Sequence, residues 1–300
     1  MLLLLAGLAA IASCAHRSGP APVVASATAG CARCHAEETR TWEASLHHRA
    51  FTDVDFQRAF AHEPEPFCVG CHAPSATSRS DPRVADGVVC AACHTTARDR
   101  GDGRGLHPVG PARSCDGCHD FEDPAGNLAL QKTAQEHARS PFRDVACKGC
   151  HMSGRDHAFA GGRDLERLRA ATRLDVTARD GAVEVVVDAR DVGHAFPSGD
   201  LFRRVRVLAW RETAAGRVVA SDERVFERTF EPGTGPRRER ADGRSEGEAR
   251  FTLDLAADEA APRVTVQLFY ERGASRAGDT LSLFSSDVLH ERTVTMKGPR

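Results

Sequence analysis

Five Cys-x-x-Cys-His units stand between residues 31 and 151 of this 300-residue chain: Cys31–Cys34–His35, Cys68–Cys71–His72, Cys90–Cys93–His94, Cys115–Cys118–His119 and Cys147–Cys150–His151. Each sets two thiols three residues apart beside an imidazole. This arrangement suits covalent attachment of a c-type haem, the thiols adding to the two vinyl groups and the His binding the iron from the proximal side. Two other chemistries use such pairs. Structural zinc sites are built from Cys-x-x-Cys, but they need no His after every second Cys. A disulfide framework would use the cysteines of an exported chain and leave the His without a role. The five units use ten of the eleven cysteines, so the reading adopted is five haem c groups, each with its iron.

A second axial ligand separates a carrier from a catalyst, because an iron with two protein ligands has no open position. Nine His lie outside the motifs: His16, His47, His48, His62, His107, His137, His157, His194 and His290. The distal candidates are His47, His107, His137, His157 and His194. His48 stands beside His47 on another helix face, His62 and His290 are weaker candidates, and His16 falls in a tether. Met152 directly follows a proximal His and is read as packing.

The elements that must place these residues fall into two regions. Residues 30–164 hold all ten motif cysteines, are rich in Gly, Pro and Asp, and contain few apolar runs of strand or helix length. A helix is expected over residues 36–51, where Trp42, Leu46 and Ala50 share a face, and another over 127–140, ending before Pro141. In such a domain the porphyrins would form most of the core. Residues 165–300 change to period-2 alternation. Strands are expected at 173–178, 182–187, 204–211, 216–226, 249–255, 263–271 and 290–296, with a hairpin turn at Arg179–Asp180–Gly181. The fold class expected is therefore α+β multidomain: a haem-packed, mostly helical or irregular multihaem domain followed by an immunoglobulin-like β-sandwich. The charged stretch 232–247 reads as a long solvated loop. Phe196-Pro197-Ser198-Gly199 reads as a tight turn presenting His194 to a haem of the first region.

The start of the chain, from Met1 to Cys14, reads as an export signal ending in a lipobox-like Ile11-Ala12-Ser13-Cys14, with Cys14 lipidated and residues 15–29 forming the tether. The expected location is the periplasm or the outer membrane, with a lipid anchor as the membrane contact. The formal net charge is −2, and no basic cluster interleaved with aromatics points to nucleic acid.

The chain resembles multihaem c-type cytochromes related to the tetrahaem cytochrome c of ammonia oxidisers. The resemblance lies in the first motif followed by Trp42-x-x-Ser45-x-His47, in Phe67–Pro74, in Gly87–His94, and in Ser140-Pro141-Phe142 before the fifth motif. Gly193-His194-Ala195-Phe196-Pro197-Ser198-Gly199 is similar to a signature of multihaem cytochromes with an added β domain. The resemblance implies electron transfer through stacked, bis-His haems, with other cytochromes as redox partners. Its enzyme relatives use a Cys-x-x-Cys-Lys motif or a haem-linked tyrosine. Here the first is absent, and the single tyrosine, Tyr270, lies outside the haem region. An electron carrier is therefore expected. The alternatives are a reductase or oxidase of a small nitrogen or sulfur compound with one open haem, and a docking subunit of a redox complex.

Overall fold

The computed structural model describes residues 28–94, 115–231, 237–256, 261–277 and 280–296. Cys14, His16 and His107 lie outside these residues, as do the signal and all of the tether but its last two positions, Thr28 and Ala29. Among the described residues no helix is long and apolar enough to cross a membrane.

The first region is a succession of short helices: α1 (Ala29–Ala32), α2 (Ala36–Glu43), α3 (Val54–His62), α4 (Cys68–His72), a 3-10 turn (Pro82–Asp86), α5 (Cys90–His94), α6 (Asp116–His119), α7 (Thr133–Arg139), α8 (Cys147–His151) and α9 (Leu165–Ala170). Between α6 and α7 the short strands β1 (Asp120–Glu122) and β2 (Ala129–Lys132) pair antiparallel. The local signals are plain in places. Asp53 caps α3 by accepting from the Asp55 and Phe56 amides, and Asp164 caps α9 through the Arg167 amide. The apolar core here is small, namely Phe51, Phe60, Val69 and Ala73.

Two expectations about this region are corrected. The first helix stops at Glu43 and does not run to residue 51. Side chains take the carbonyls that would continue it: His48 Nδ1 is 3.1 Å from Glu43 O, and Arg49 donates to Ala44 O at 3.0 Å. Ser45 Oγ accepts the His48 amide, and His47 O accepts from Val88 N at 2.8 Å. The expected 127–140 helix is strand β2 followed by the shorter α7. Asp123 captures the Asn127 and Leu128 amides and turns the chain back on β1. The stop before Pro141 holds.

Past α9 the chain forms β3 (Arg173–Arg179), β4 (Ala182–Asp188), β5 (Arg203–Glu212), β6 (Val218–Phe230), β7 (Glu239–Asp242), β8 (Glu248–Asp254), β9 (Arg263–Ala277) and β10 (Thr280–Thr295). One sheet has the order β3-β4-β8 and the other β10-β9-β5-β6-β7, with all pairings antiparallel. Arg179 pairs with Ala182, leaving Asp180–Gly181 as a two-residue turn, and Gly181 takes φ +70°. Val183, Val185 and Val187 of β4 alternate into the core, as do Val205, Val207 and Ala209 of β5. Leu174, Leu253, Val264, Val266, Leu268 and Tyr270 complete one cluster that spans both sheets.

The two regions are tied together. Arg272 of β9 reaches Asp55 at 3.3 Å, beside the Asp53 carboxylate that Arg163 bonds through both oxygens at 2.5 Å. Arg228, almost wholly buried, donates to Ala129 O and Leu130 O of β2. Leu128 packs with Leu201 and Phe202. The expected solvated loop at 232–247 is also corrected. Residues 232–236 lie outside those described, but 239–242 form β7, and the stretch carries much of the junction. Glu239 pairs with Lys132 and Arg228, and Arg244 pairs with buried Glu136 at 2.5 Å. A Gly-rich charged sequence looks solvent-exposed until its charges find partners elsewhere in the chain.

Candidate haem-binding site

Each motif sits on or against a short helix, so its two cysteines, one turn apart, face the same way and the His follows directly. None of the ten motif cysteines is joined in a disulfide. Among the described residues no group of three or more His, Cys, Asp or Glu side chains converges as around a metal ion. Paired cysteines with an adjacent imidazole suit covalent haem attachment.

The motif imidazoles lie near non-motif ones in three places. The ring centroids of His47 and His119 are 6.2 Å apart, those of His94 and His157 6.1 Å, and those of His151 and His194 6.3 Å. A metal–imidazole bond of about 2 Å on each side would place two rings about 6 Å apart across one ion. The interplanar angles are 70°, 39° and 9° respectively. Each ring could turn about its own metal–nitrogen bond, so this spread is compatible with axial pairs.

In four of these six rings, and in His72, Nδ1 lies against an oxygen acceptor. His151 Nδ1 lies 2.8 Å from Ala160 O, His157 Nδ1 2.9 Å from Arg155 O, and His194 Nδ1 3.0 Å from Ala195 O. His72 Nδ1 lies 2.6 Å from Ala50 O, and His119 Nδ1 3.3 Å from Gln131 Oε1. A hydrogen bond from Nδ1–H fixes the tautomer and leaves Nε2 free to ligate. Burial pushes the His47 imidazole down to about 4, with the neighbouring His119 and His72 adding to the effect. Burial also lowers His72, His94, His119 and His194. The neutral form thus favoured is the one that binds a metal.

The remaining candidates are placed differently. His35 Nδ1 lies 3.9 Å from Glu38, and His72 stacks on Phe56 at 3.8 Å. Among the described ring contacts, neither has a histidine ring beside it. His137 is half-buried against Gly193 and Phe142. His48 stacks on Trp42 at 4.3 Å. His62 is exposed at the end of α3. His290 bonds Thr172 through Nε2 at 3.0 Å. The Phe196–Pro197 bond is cis, and the turn that follows seats Ser198 on Glu136 at 2.8 Å. Glu136, Arg244, Arg228 and Arg203 were not singled out by the sequence. Only Glu136, next to His137 in a short helix, carried any local hint.

Residues 30–95 match the family described as cytochrome c554 and c-prime. The structure is similar to a penta-heme cytochrome c552 from Thermochromatium tepidum, with a TM-score of 0.64 and 19% identity, over 89% of this chain and 97% of that one. At that identity the likeness speaks for the fold. MtrC from Shewanella baltica OS185 aligns at 15% identity over 78% of this chain and 46% of its own, and its TM-score of 0.23 carries no argument. No curated protein matches the sequence. The family match and the fold likeness both lie with c-type cytochromes. The match covers residues 30–95, and the likeness of the whole chain is one of fold.

Proposed function

We propose that the chain is an exported pentahaem cytochrome that passes electrons through five covalently bound, mainly bis-His haems. The observation that carries this is the trio of imidazole pairs His47–His119, His94–His157 and His151–His194 at 6.1 to 6.3 Å. Haem supplies an iron that cycles between ferric and ferrous; the chain supplies the thioether anchors, the axial nitrogens and the field around them. His107 and His137 are the distal candidates for the haems of His35 and His72.

Neighbouring thiols support a path that departs from chain order. Cys90 lies beside Cys31 and Cys71 beside Cys118, while Cys115 lies near Cys147 and Cys93. The first motif thus adjoins the third, the second the fourth, and the fourth the third and fifth. The C-terminal domain is read as immunoglobulin-like; the sheet orders β3-β4-β8 and β10-β9-β5-β6-β7, with one core between them, support that reading. Lipidation at Cys14 would hold the protein at a membrane facing the periplasm, with other cytochromes as donor and acceptor.

The test is the mass and spectrum of the exported protein. Five haems and a ferric EPR spectrum dominated by low-spin signals are expected. Fewer haems, or a mostly high-spin spectrum, would overturn the reading. A second reading, an open haem acting on a small nitrogen or sulfur compound, draws on His35 and His72, which belong to none of the three imidazole pairs. Carbon monoxide binding to one reduced haem would favour it.

A further inference from the structure

Arg203 is the first residue of β5 and is the exception among the arginines at the junction. Arg237, Arg244 and Arg272 reach carboxylates across it, Arg163 reaches Asp53 within the first region beside it, and Arg228 reaches carbonyls. Among the described residues, Arg203 makes one hydrogen bond, from Nη1 to Tyr270 Oη at 3.2 Å. No described carboxylate forms an ion pair with its guanidinium. Asp200 and Asp55 are near enough to act on it through space, after Tyr270, but do not bond it. Four of the five guanidinium N–H donors are left over.

The position is nonetheless built. A Cβ on Gly162 would stand 2.4 Å from Arg203 Nη1 and 2.7 Å from Tyr270 Oη. A Cβ on Gly199 would stand 3.5 Å from Arg203 Cζ. The guanidinium thus lies between two stretches of bare backbone, held by the chain's only tyrosine, itself 2% exposed. Arg203 precedes core-facing Val205 by two residues, so it shares that face of β5 and emerges at the sandwich end that meets the first region. Gly162, against which Arg203 lies, follows three residues after Phe159, whose ring stands 4.2 Å from that of His47, the imidazole facing His119 at 6.2 Å.

We propose that Arg203, oriented by Tyr270, binds a propionate carboxylate of the haem carried by Cys115, Cys118 and His119, so that the β domain sets that haem's potential. This rests on the haem reading above. The guanidinium fork matches a carboxylate and binds it bidentately. A fixed cation beside the haem favours the ferrous state, because reduction adds one negative charge there. A free oxyanion such as phosphate would suit the same fork, and the experiment separates the two sources.

The full-length holoprotein is compared with Arg203→Gln, Arg203→Lys and Tyr270→Phe. Haem number is read by mass, and each haem's potential by EPR-monitored redox titration. The haem in question is the one whose signal changes in His47→Ala. Arg203→Gln is expected to make its reduction about tenfold less favourable, which is about 59 mV for a one-electron couple. Arg203→Lys should keep most of the potential, and Tyr270→Phe should shift the same haem the same way by less. Inorganic phosphate should leave the wild-type potential unchanged. A phosphate-dependent shift that Arg203→Gln abolishes would assign the site to a free anion and overturn the propionate proposal. Five attached haems with every potential unmoved in Arg203→Gln and Tyr270→Phe would overturn it as well and leave the multihaem reading intact. A wild-type protein lacking haem at Cys115 and Cys118 would overturn the reading on which the proposal rests. If Arg203→Gln does not fold, Arg203→Lys and Tyr270→Phe carry the test.

Discussion

Replacing Gly87 with Ala should damage the site of His47, although the two are well separated in sequence. Gly87 has φ +60° and ψ −138°, a conformation open to glycine and strained for alanine. A Cβ there would fall 2.2 Å from His48 O and 2.4 Å from His47 O, and both are backbone atoms that no rotamer change can clear. The turn bearing His47 must move or Gly87 must change conformation, and either loses the 2.8 Å bond from Val88 N to His47 O. Strain of about 1–3 kcal/mol and a lost hydrogen bond of about 1 kcal/mol give a destabilisation of about 2–4 kcal/mol. Two measurements follow it. Thermal or denaturant unfolding of the holoprotein reads the stability. EPR reads the ligand. The His47 and His119 rings stand at 70° to each other. Nearly crossed imidazoles give a highly anisotropic low-spin signal, which should be lost or altered. The nearly parallel His151 and His194 rings should keep a rhombic signal. A Gly87→Ala protein with unchanged stability and an unchanged anisotropic signal would refute the reasoning that this close backbone contact seats His47.

Three more outcomes are expected. His194→Ala should remove the imidazole facing His151, turn one haem high-spin and let it bind carbon monoxide when reduced; an unaltered low-spin count would exclude His194 as a ligand. Glu136→Gln should cost about 3 kcal/mol, the low end for breaking a buried ion pair, since Arg244 keeps Asp242 as a partner; denaturant unfolding measures it, and a change within the range of about ±0.5 kcal/mol usual for a surface site would argue against the clamp. Acid titration of stability should show a loss as pH falls from about 4, the ordinary Asp value, through about 2. The Asp188 carboxyl is held down to about 2 by Arg190, and Asp242 to about 2 by bonds from Arg244 that outweigh the opposing effect of burial. Both groups have folded values below their unfolded ones, so their stabilisation is complete above the unfolded value and disappears as they protonate; replacing Asp242 with Asn should flatten the slope.

The Cys-x-x-Cys-His motifs were legible because their pattern is local: one helical turn holds two thiols and the next residue is an imidazole. The strands were legible for a similar reason, since Val183, Val185 and Val187 write a period of two that burial then uses. His47, His157 and His194 could be named as candidates, but not matched to His119, His94 and His151, because each match depends on how distant segments meet. The helix expected to 51 failed because Trp42, Leu46 and Ala50 satisfy a helical spacing that side-chain capture of carbonyls at 43 and 44 overrides. Arg203 was not visible, because what distinguishes it is the lack of a carboxylate partner in three dimensions. The stretch around Arg244 misled for the converse reason: Glu136 and Lys132, which its charges meet, lie far back in the sequence, in the first region.

The meeting of His194 with His151 bears on modularity. Composition changes near residue 165, and anyone dividing the chain by sequence would cut there. Such a cut would strand the ring facing α8 in one piece and the motif in the other, expose Leu128 on one side and Leu201 and Phe202 on the other, and leave Glu136 and Arg244 each without the other. The halves of this chain are not interchangeable parts. Swapping the β domain for another would demand, besides a matching surface, a histidine delivered to the same point in space.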